Sequence, residues 1–196
     1  MNQIWAIILA AGESKRMGFP KMLLPFHGQT MIECVIASIR DSKVDQIMVV
    51  AGAEKDSIVK LFGNSSVCVC HNENYKNGML SSVMCGFNNI PSDYKAVLVF
   101  QGDQPMIKPI AINAVIDSYL SSGRGIVIPV YEGRRGHPLL IDRKYSDEVK
   151  KLSPDRGLCS LAEKFCNDVL EVETNDPGIL RDFDTIEQYT KGIIQN

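Results

Sequence analysis

Short, nearly unbroken apolar runs alternate along this chain with longer stretches in which apolar positions recur every three or four residues. The runs predict strands at 4–9, 46–51, 67–71, 96–100, 126–130 and 169–172. Their near-continuous Val, Ile and Leu content is that of strands buried on both faces. Helical spacing covers 30–40, 56–61, 80–88 and 110–121, and predicts further helices over 143–152, 158–166 and 185–194. Strand–helix alternation of this kind predicts an α/β fold: a Rossmann-like, three-layer domain with a mostly parallel central sheet covered on both sides. No repeat, linker tract or charge block interrupts the pattern, so the whole of 1–196 reads as a single domain. In open parallel sheets, ligands gather beyond the carboxyl ends of the strands. Four polar or Gly-rich loops belong on that rim, at 10–21, 72–82, 101–105 and 131–138.

Composition narrows the partners. Hydrophobic residues make up 45% of the 196 residues and charged residues 22%, the balance of a chain that buries a core. Lys and Arg total 21 against 23 Asp and Glu, so no general attraction draws the protein to nucleic acid or to an anionic membrane. An anion must therefore be held by a local site. The stretch 4–11 is too short for a signal or an anchor and no basic segment precedes it, which points to a cytoplasmic protein. Most of the six Cys are expected as reduced thiols, since no export signal is read, and as packed side chains rather than a metal site, because no CxxC pair or nearby His cluster offers zinc spacing.

The candidate chemistry lies on the rim. The first loop, after Leu9, reads Ala10-Ala11-Gly12-Glu13-Ser14-Lys15-Arg16-Met17-Gly18-Phe19-Pro20-Lys21. Small residues let the backbone approach a ligand, and successive N–H groups there can cradle an anion. Arg16 adds a planar fork and Lys21 a compact point charge, a suitable pair for a polyphosphate. The loop is neither the GxxxxGK[ST] phosphate loop nor GxGxxG. The second motif, Gln101-Gly102-Asp103-Gln104-Pro105, puts a carboxylate at a strand's end, where it can hold Mg2+ together with phosphate and water. The third, Gly133-Arg134-Arg135-Gly136-His137-Pro138, is an irregular turn in which His137 reads either as a substrate contact or as a side chain bonded to a carbonyl. The fourth, Arg181-Asp182-Phe183-Asp184-Thr185-Ile186-Glu187, predicts a helix cap at Asp184 with Glu187 completing a capping box, and a second metal contact from Asp182 or Asp184 as the alternative.

The ordered set of Leu-Ala-x-Gly-x-Ser-x-Arg-Met-Gly and Pro-Lys resembles the signature of nucleotidyltransferases built on the nucleotide-diphospho-sugar transferase fold. Within them, the chain most resembles the molybdenum cofactor cytidylyltransferases of the MobA-like NTP transferase family, over residues 4–189. The resemblance implies that Leu9, Ala10, Ala11 and Gly12 line a nucleotide and that Asp103 binds the metal beside Gly102. In that reading Arg16 steadies the β and γ phosphates and Lys21 faces the α-phosphate. The segment Asn74-Tyr75-Lys76-Asn77-Gly78-Met79-Leu80-Ser81-Ser82 resembles the element that approaches the nucleotide and frames its base, with Asn77, Gly78, Ser81 and Ser82 as its contacts. Gln104, Pro105, Gly136, His137 and Pro138 are candidates for the second substrate. Pro154 stands where relatives show a Gly, so the loop at 153–157 departs from the pattern. Ala11, where guanine-specific relatives show Gly, points to CTP, with Mg2+ as cofactor and molybdopterin as the implied acceptor. A molybdenum enzyme would then receive the product.

Other readings stay open at this point. The transferase could use GTP, or a sugar or polyol phosphate as acceptor. The chain could be a non-catalytic partner or insertion factor of a molybdenum enzyme, against which the joint presence of Arg16, Lys21 and Asp103 argues. A glycosyltransferase with an Asp-x-Asp motif would match Asp182-Phe183-Asp184, but that motif lies near the C-terminus and not after a central strand.

Overall fold

A computed structural model of the chain describes residues 3–63 and 65–194. The first strand, β1 (Ile4–Ala10), is buried throughout and leads into the Gly-rich loop. A small hairpin, β2 (Pro25–Phe26) with β3 (Gln29–Thr30), precedes helix α1 (Met31–Arg40). Thr30 caps α1 through its hydroxyl, and Glu33 closes a reciprocal capping box. Then follow β4 (Gln46–Ala51), α2 (Lys55–Phe62), β5 (Cys68–His71), α3 (Met79–Asn89), β6 (Ala96–Gln101) and α4 (Pro109–Ser122). The last third holds β7 (Ile126–Tyr131), β8 (Arg134–Arg135), β9 (Leu139–Asp142), α5 (Ser146–Val149), α6 (Cys159–Lys164), β10 (Val169–Glu173) and α7 (Ile186–Ile194).

The main sheet runs β10-β7-β9-β6-β1-β4-β5, with β8 paired to β7. Strands β6, β1, β4 and β5 are parallel neighbours, as are β7 and β10. β9 runs antiparallel to both β6 and β7 and joins the two parallel groups. Alternate residues of β1 feed opposite cores. Ala6, Ile8 and Ala10 pack under α1, α2 and α4, through Ile32, Ile36, Ile58, Phe62, Ile112 and Ile116. Trp5, Ile7 and Leu9 pack under α3, α5 and α6, through Val83, Phe87, Val149 and Leu161. This is the expected three-layer α/β arrangement, a sheet with helices on both faces.

The departures from the sequence reading are local. β9 has no counterpart in the predicted elements. The helix expected at 143–152 is a 3-10 turn at Arg143–Tyr145 followed by the four residues of α5. The turn forms because Asp142 accepts from the Lys144 N–H, and Tyr145 and Val149 supply the buried anchors behind the helical pattern. The helix expected at 158–166 shortens to α6. A third, minor cluster of Phe26, Met31 and Phe183 ties the C-terminal segment to the β2–β3 hairpin. The Tyr189 hydroxyl donates to the Pro25 carbonyl at 2.5 Å and fastens α7 to the same place.

Candidate active site

The carboxyl ends of β1 and β6 meet at Gly102, whose N–H donates to the Leu9 carbonyl at 3.1 Å. A side chain at Gly102 would meet Met22 Sδ at 2.9 Å and that carbonyl at 3.1 Å, so a larger residue would require the Met22 side chain and the strand ends to shift. Asp103 follows directly and is buried at the strand's end. Its carbonyl accepts from the Phe183 N–H at 3.1 Å, which draws the C-terminal segment across the rim and brings Asp182 and Asp184 to the same place. The first loop turns on Ser14, which has a positive φ; its carbonyl accepts from Met17 and Gly18, and its Oγ accepts from the Lys21 N–H at 3.2 Å.

These constraints place one cation between two carboxylates. Lys21 Nζ donates to Asp103 Oδ2 at 2.5 Å and to Asp184 Oδ1 at 2.7 Å, while Arg16 Nη2 reaches Asp184 Oδ2 at 2.8 Å. The Lys21 side chain is 12% exposed and that of Arg16 is 72% exposed, so the first is part of the floor and the second part of the rim. Burial works against the Lys21 ammonium, but Asp103, by charge and hydrogen bond, and then Asp184 outweigh it and hold the amine above its usual value. Burial pushes the Asp103 carboxyl up, the ammonium of Lys21 opposes that, and the charges of Asp184 and Asp182 add to the rise. Burial also works against Asp184, yet Lys21 and then Arg16 hold it below the usual carboxylate range. Asp103 Oδ1 is buried and has no partner.

The residues enclose a cleft of about 470 Å3, lined among others by Leu9, Ala11, Gly12, Gly78 and Ser82. Gly78 adopts φ 92° as it opens α3. Asn72 holds both hydroxyls of that helix's first turn, donating from Nδ2 to Ser81 Oγ at 2.9 Å and Ser82 Oγ at 3.0 Å. Ala11 is fixed in place: a side chain at Gly52 would meet its carbonyl at 2.4 Å and its Cβ at 2.7 Å, so strand and loop are already in contact.

Not every residue expected at the nucleotide reaches this cleft. Ala10 points into the core under α1, because the alternation of β1 sends Leu9 and Ala11 the other way. Asn77 and Ser81 line a neighbouring depression with His71 and Asn74, since the roughly 100° step between successive helical residues turns Ser82, not Ser81, toward the cleft. Gly102 acts through its backbone, beneath the cleft. The capping box expected from Asp184 and Glu187 is instead made by Thr185 and Gln188, whose side chains accept from each other's backbone N–H groups. Glu187 pairs with Lys191, and Asp184 is thereby left for Lys21 and Arg16. In the sequence Asn72 is read only as part of a rim loop, Tyr75 and Met79 lie in the base-framing segment and Gln101 opens the second motif without individual roles, and Met22 reads only as packing; the contribution of each depends on contacts across the fold.

Beyond Gln101 lies a second hollow of about 500 Å3, lined by Gln104, Gly136 and His137 among apolar side chains. Gln101, which lines the cleft, has its Nε2 2.7 Å from Nε2 of His137, which lines the hollow. Burial pushes the His137 imidazole down to about 4 and keeps it neutral near pH 7. Pro105 and Pro138 are buried beside these residues but do not line the hollow. The bond between His137 and Pro138 is cis.

The MobA-like NTP transferase domain matches residues 6–169 of the chain. A probable molybdenum cofactor guanylyltransferase from Natranaerobius thermophilus is 33% identical over 134 residues, which are 67% of this chain and 62% of that protein. The chain thus spans rather less than two thirds of that relative. The molybdenum cofactor cytidylyltransferase of Escherichia coli is 28% identical over 73% of this chain and 72% of its own length. Nicotine blue oxidoreductase of Paenarthrobacter nicotinovorans is 27% identical over 94% of both chains. Among solved structures, Rv0371c of Mycobacterium tuberculosis superposes with a TM-score of 0.83 at 25% identity, covering 97% of each chain.

Proposed function

The chain belongs to the MobA-like NTP transferase family, a family of nucleotidyltransferases, and from that premise we propose that the whole of 1–196 acts in the cytosol as one unit that transfers CMP from CTP to molybdopterin or its molybdenum form. The observation that carries this reading is the Lys21 ammonium shared by Asp103 and Asp184 on the floor of a cleft whose rim is the Ala11–Gly12 loop. Paired cations and carboxylates beside the Ala11–Gly12 loop suit a polyphosphate better than they suit a neutral redox substrate. CTP is favoured over GTP by the Ala11 methyl, which is held against Gly52 and cannot withdraw from a larger base.

A divalent ion is common in this family, and the residues fit one that is hard and oxygen-seeking. Asp103 offers a buried carboxylate oxygen with no partner, and Asp182 and Asp184 line the same cleft. No group of three or more Asp, Glu, His or Cys suited to a metal occurs among the described residues. That matches Mg2+, which takes one or two protein carboxylates and completes its shell with phosphate and water. When bound it would offset charge on the phosphates and on departing pyrophosphate.

The chain's own residues do the positioning. Lys21, held at two points, presents a fixed charge where negative charge is redistributed at the α-phosphorus. Arg16, exposed and paired with Asp184, can swing to phosphates that do not react. An oxygen of the acceptor's terminal phosphate forms the new bond to the α-phosphorus as the bond to the β-phosphate bridge breaks, and pyrophosphate leaves with that electron pair. The attacking phosphate arrives ionised, so no protein base is required, and neutral His137 is not asked for a proton.

Pyrophosphate release from each of four nucleoside triphosphates, with molybdopterin, glucose 1-phosphate and ribitol 5-phosphate as acceptors, tests the reading. CTP with molybdopterin should be turned over best, in a Mg2+-dependent way. Ala11→Gly should relax the base preference by roughly tenfold or more, the scale of one methyl group in a close-fitting pocket. Equal turnover of GTP by the unmodified protein would overturn the base assignment, and turnover of the sugar or polyol phosphate alone would overturn the acceptor.

A further inference from the structure

Beside the cleft, the sulfur atoms of Cys70 in β5 and Cys85 in α3 stand 3.8 Å apart, and both thiols are free. A disulfide holds its sulfurs about 2.05 Å apart, so a closure of about 1.8 Å would join them. β5 ends the sheet and pairs only with β4, which leaves it one side on which to yield. α3 already lies tight on the sheet, because a side chain at Gly86 would meet Ile7 Cγ2 at 2.6 Å. The approach of the two sulfurs follows from that packing, since Cys85 directly precedes Gly86.

The two thiols are not equivalent. Cys70 is 9% exposed, and burial, reinforced by the neighbouring Cys85, holds its thiol well above the ordinary range. It therefore stays protonated near neutral pH. Cys85 is half-buried and opens on a depression of about 600 Å3, together with His71, Asn88 and Asn89. Asn89 turns an Nδ2 donor toward the Cys85 sulfur at 3.8 Å. An oxidant arriving from solution meets Cys85 first, and Cys70 is the sulfur waiting behind it.

We propose that Cys70 and Cys85 form a redox pair, in which a hydroperoxide oxidises Cys85 and Cys70 then closes a reversible disulfide between β5 and α3. The Cys85 thiolate attacks one peroxide oxygen, the O–O bond breaks, and hydroxide or alkoxide leaves with that electron pair, giving a sulfenic acid. Cys70 attacks the Cys85 sulfur, the S–O bond breaks, and water leaves with the Cys70 proton. A dithiol reverses the change by exchange. The position of the bond gives it a consequence. Asn72, two residues after Cys70, holds Ser82, three residues before Cys85, at 3.0 Å, and Ser82 lines the cleft. The disulfide is a covalent rung beside that hydrogen-bonded one, and it fastens the start of α3 to the strand.

The test treats dilute, reduced protein with hydrogen peroxide and maps its thiols by mass spectrometry of non-reduced peptides. Cys70 and Cys85 should be found linked within one chain, two hydrogens lighter, and dithiothreitol should restore both thiols. In Cys70→Ala the sulfenic acid should persist at Cys85 and be trapped by dimedone. In Cys85→Ser, oxidation at Cys70 should fall by roughly tenfold or more. Amide exchange across 78–85 should slow by roughly threefold or more in the oxidised chain, because the new bond opposes local opening. Circular-dichroism melts check that both variants fold; if either does not, the map of the unmodified protein decides alone. Free thiols at Cys70 and Cys85 after a dose that oxidises the exposed Cys68, Cys159 and Cys166 overturn the proposal. So does a link from Cys85 to Cys68 or to a second chain, or amide exchange that does not slow.

Discussion

The cleft and the hollow behind it meet where Gln101 stands against His137, yet they are lined in opposite ways. In the cleft, charge already answers charge: Lys21 bridges Asp103 and Asp184, and Arg16 closes on Asp184. A polyphosphate entering there competes with pairs that exist, and its binding energy is the difference between two sets of ionic contacts. The hollow's lining is mostly apolar and holds no comparable ion pair across it; His137 and Gln104 there each bury one uncharged polar atom without a partner. The first arrangement favours transition-state selectivity, since contacts realised only as charge moves add nothing to ground-state binding.

Three measurements test that contrast. The largest effect is expected at Lys21. Lys21→Met leaves Asp103 as a buried carboxylate without its partner, which should lower stability by about 3–5 kcal/mol. It should also reduce kcat by about two to three orders of magnitude, by analogy with loss of an oxyanion donor. Denaturant melts and steady-state kinetics check both, and normal kcat in the folded fraction would make Lys21 a structural residue only.

Next in size is the response of His137 to acid. Its folded value of about 4 lies below the ordinary value near 6.5, so the unfolded chain binds the extra proton between these limits. Stability should therefore fall as pH drops from about 6.5 to about 4, by roughly 3 kcal/mol, and level off below. His137→Phe should flatten that component in melts across this range; superimposable pH curves for the two proteins would sink the assignment. Lys21 acts at the other end of the scale. Its value is raised, so its contribution is present below the unfolded lysine range and is lost only as pH climbs through the higher folded value.

The smallest effect is expected at the rim. Arg16→Ala removes an exposed pair and should change stability by less than about 1 kcal/mol. If Arg16 grips phosphates that do not react, KM for the triphosphate should rise more than kcat falls. A dominant loss in kcat would move Arg16 from the rim of the comparison to its centre.

Much of the fold is legible in the order of residues alone. The apolar runs of β1, β4, β6 and β7 fall where predicted because strands buried on both faces exclude most polar positions. β9 is not legible in that way: four residues following an irregular Gly-His-Pro turn leave no period to count, and its antiparallel direction is set by β6 and β7 on either side. Arg16, Lys21 and Asp103 stand out in the chain because their types and order carry chemistry. The roles of Asp184 and Asn72 do not, because each is defined by a partner far away in sequence or by the side of a helix that faces the cleft.

The sequence by itself determined the layer order, the rim on which function gathers and the residue types available there, since burial pattern and loop chemistry are local properties of the chain. Only the tertiary structure decided which of those residues meet. Lys21 and Asp103 stand 82 positions apart, and Lys21 and Asp184 163 apart. Their ion pairs exist because β1 and β6 are parallel neighbours and because Phe183, packed on Phe26 and Met31, holds the last carboxylates over the strand ends. The unpaired atoms of His137 and Gln104 have the same origin. Close packing around β7, β9 and the turn at Ile179 sealed them from water, and no pattern along the chain records what packing leaves unsatisfied.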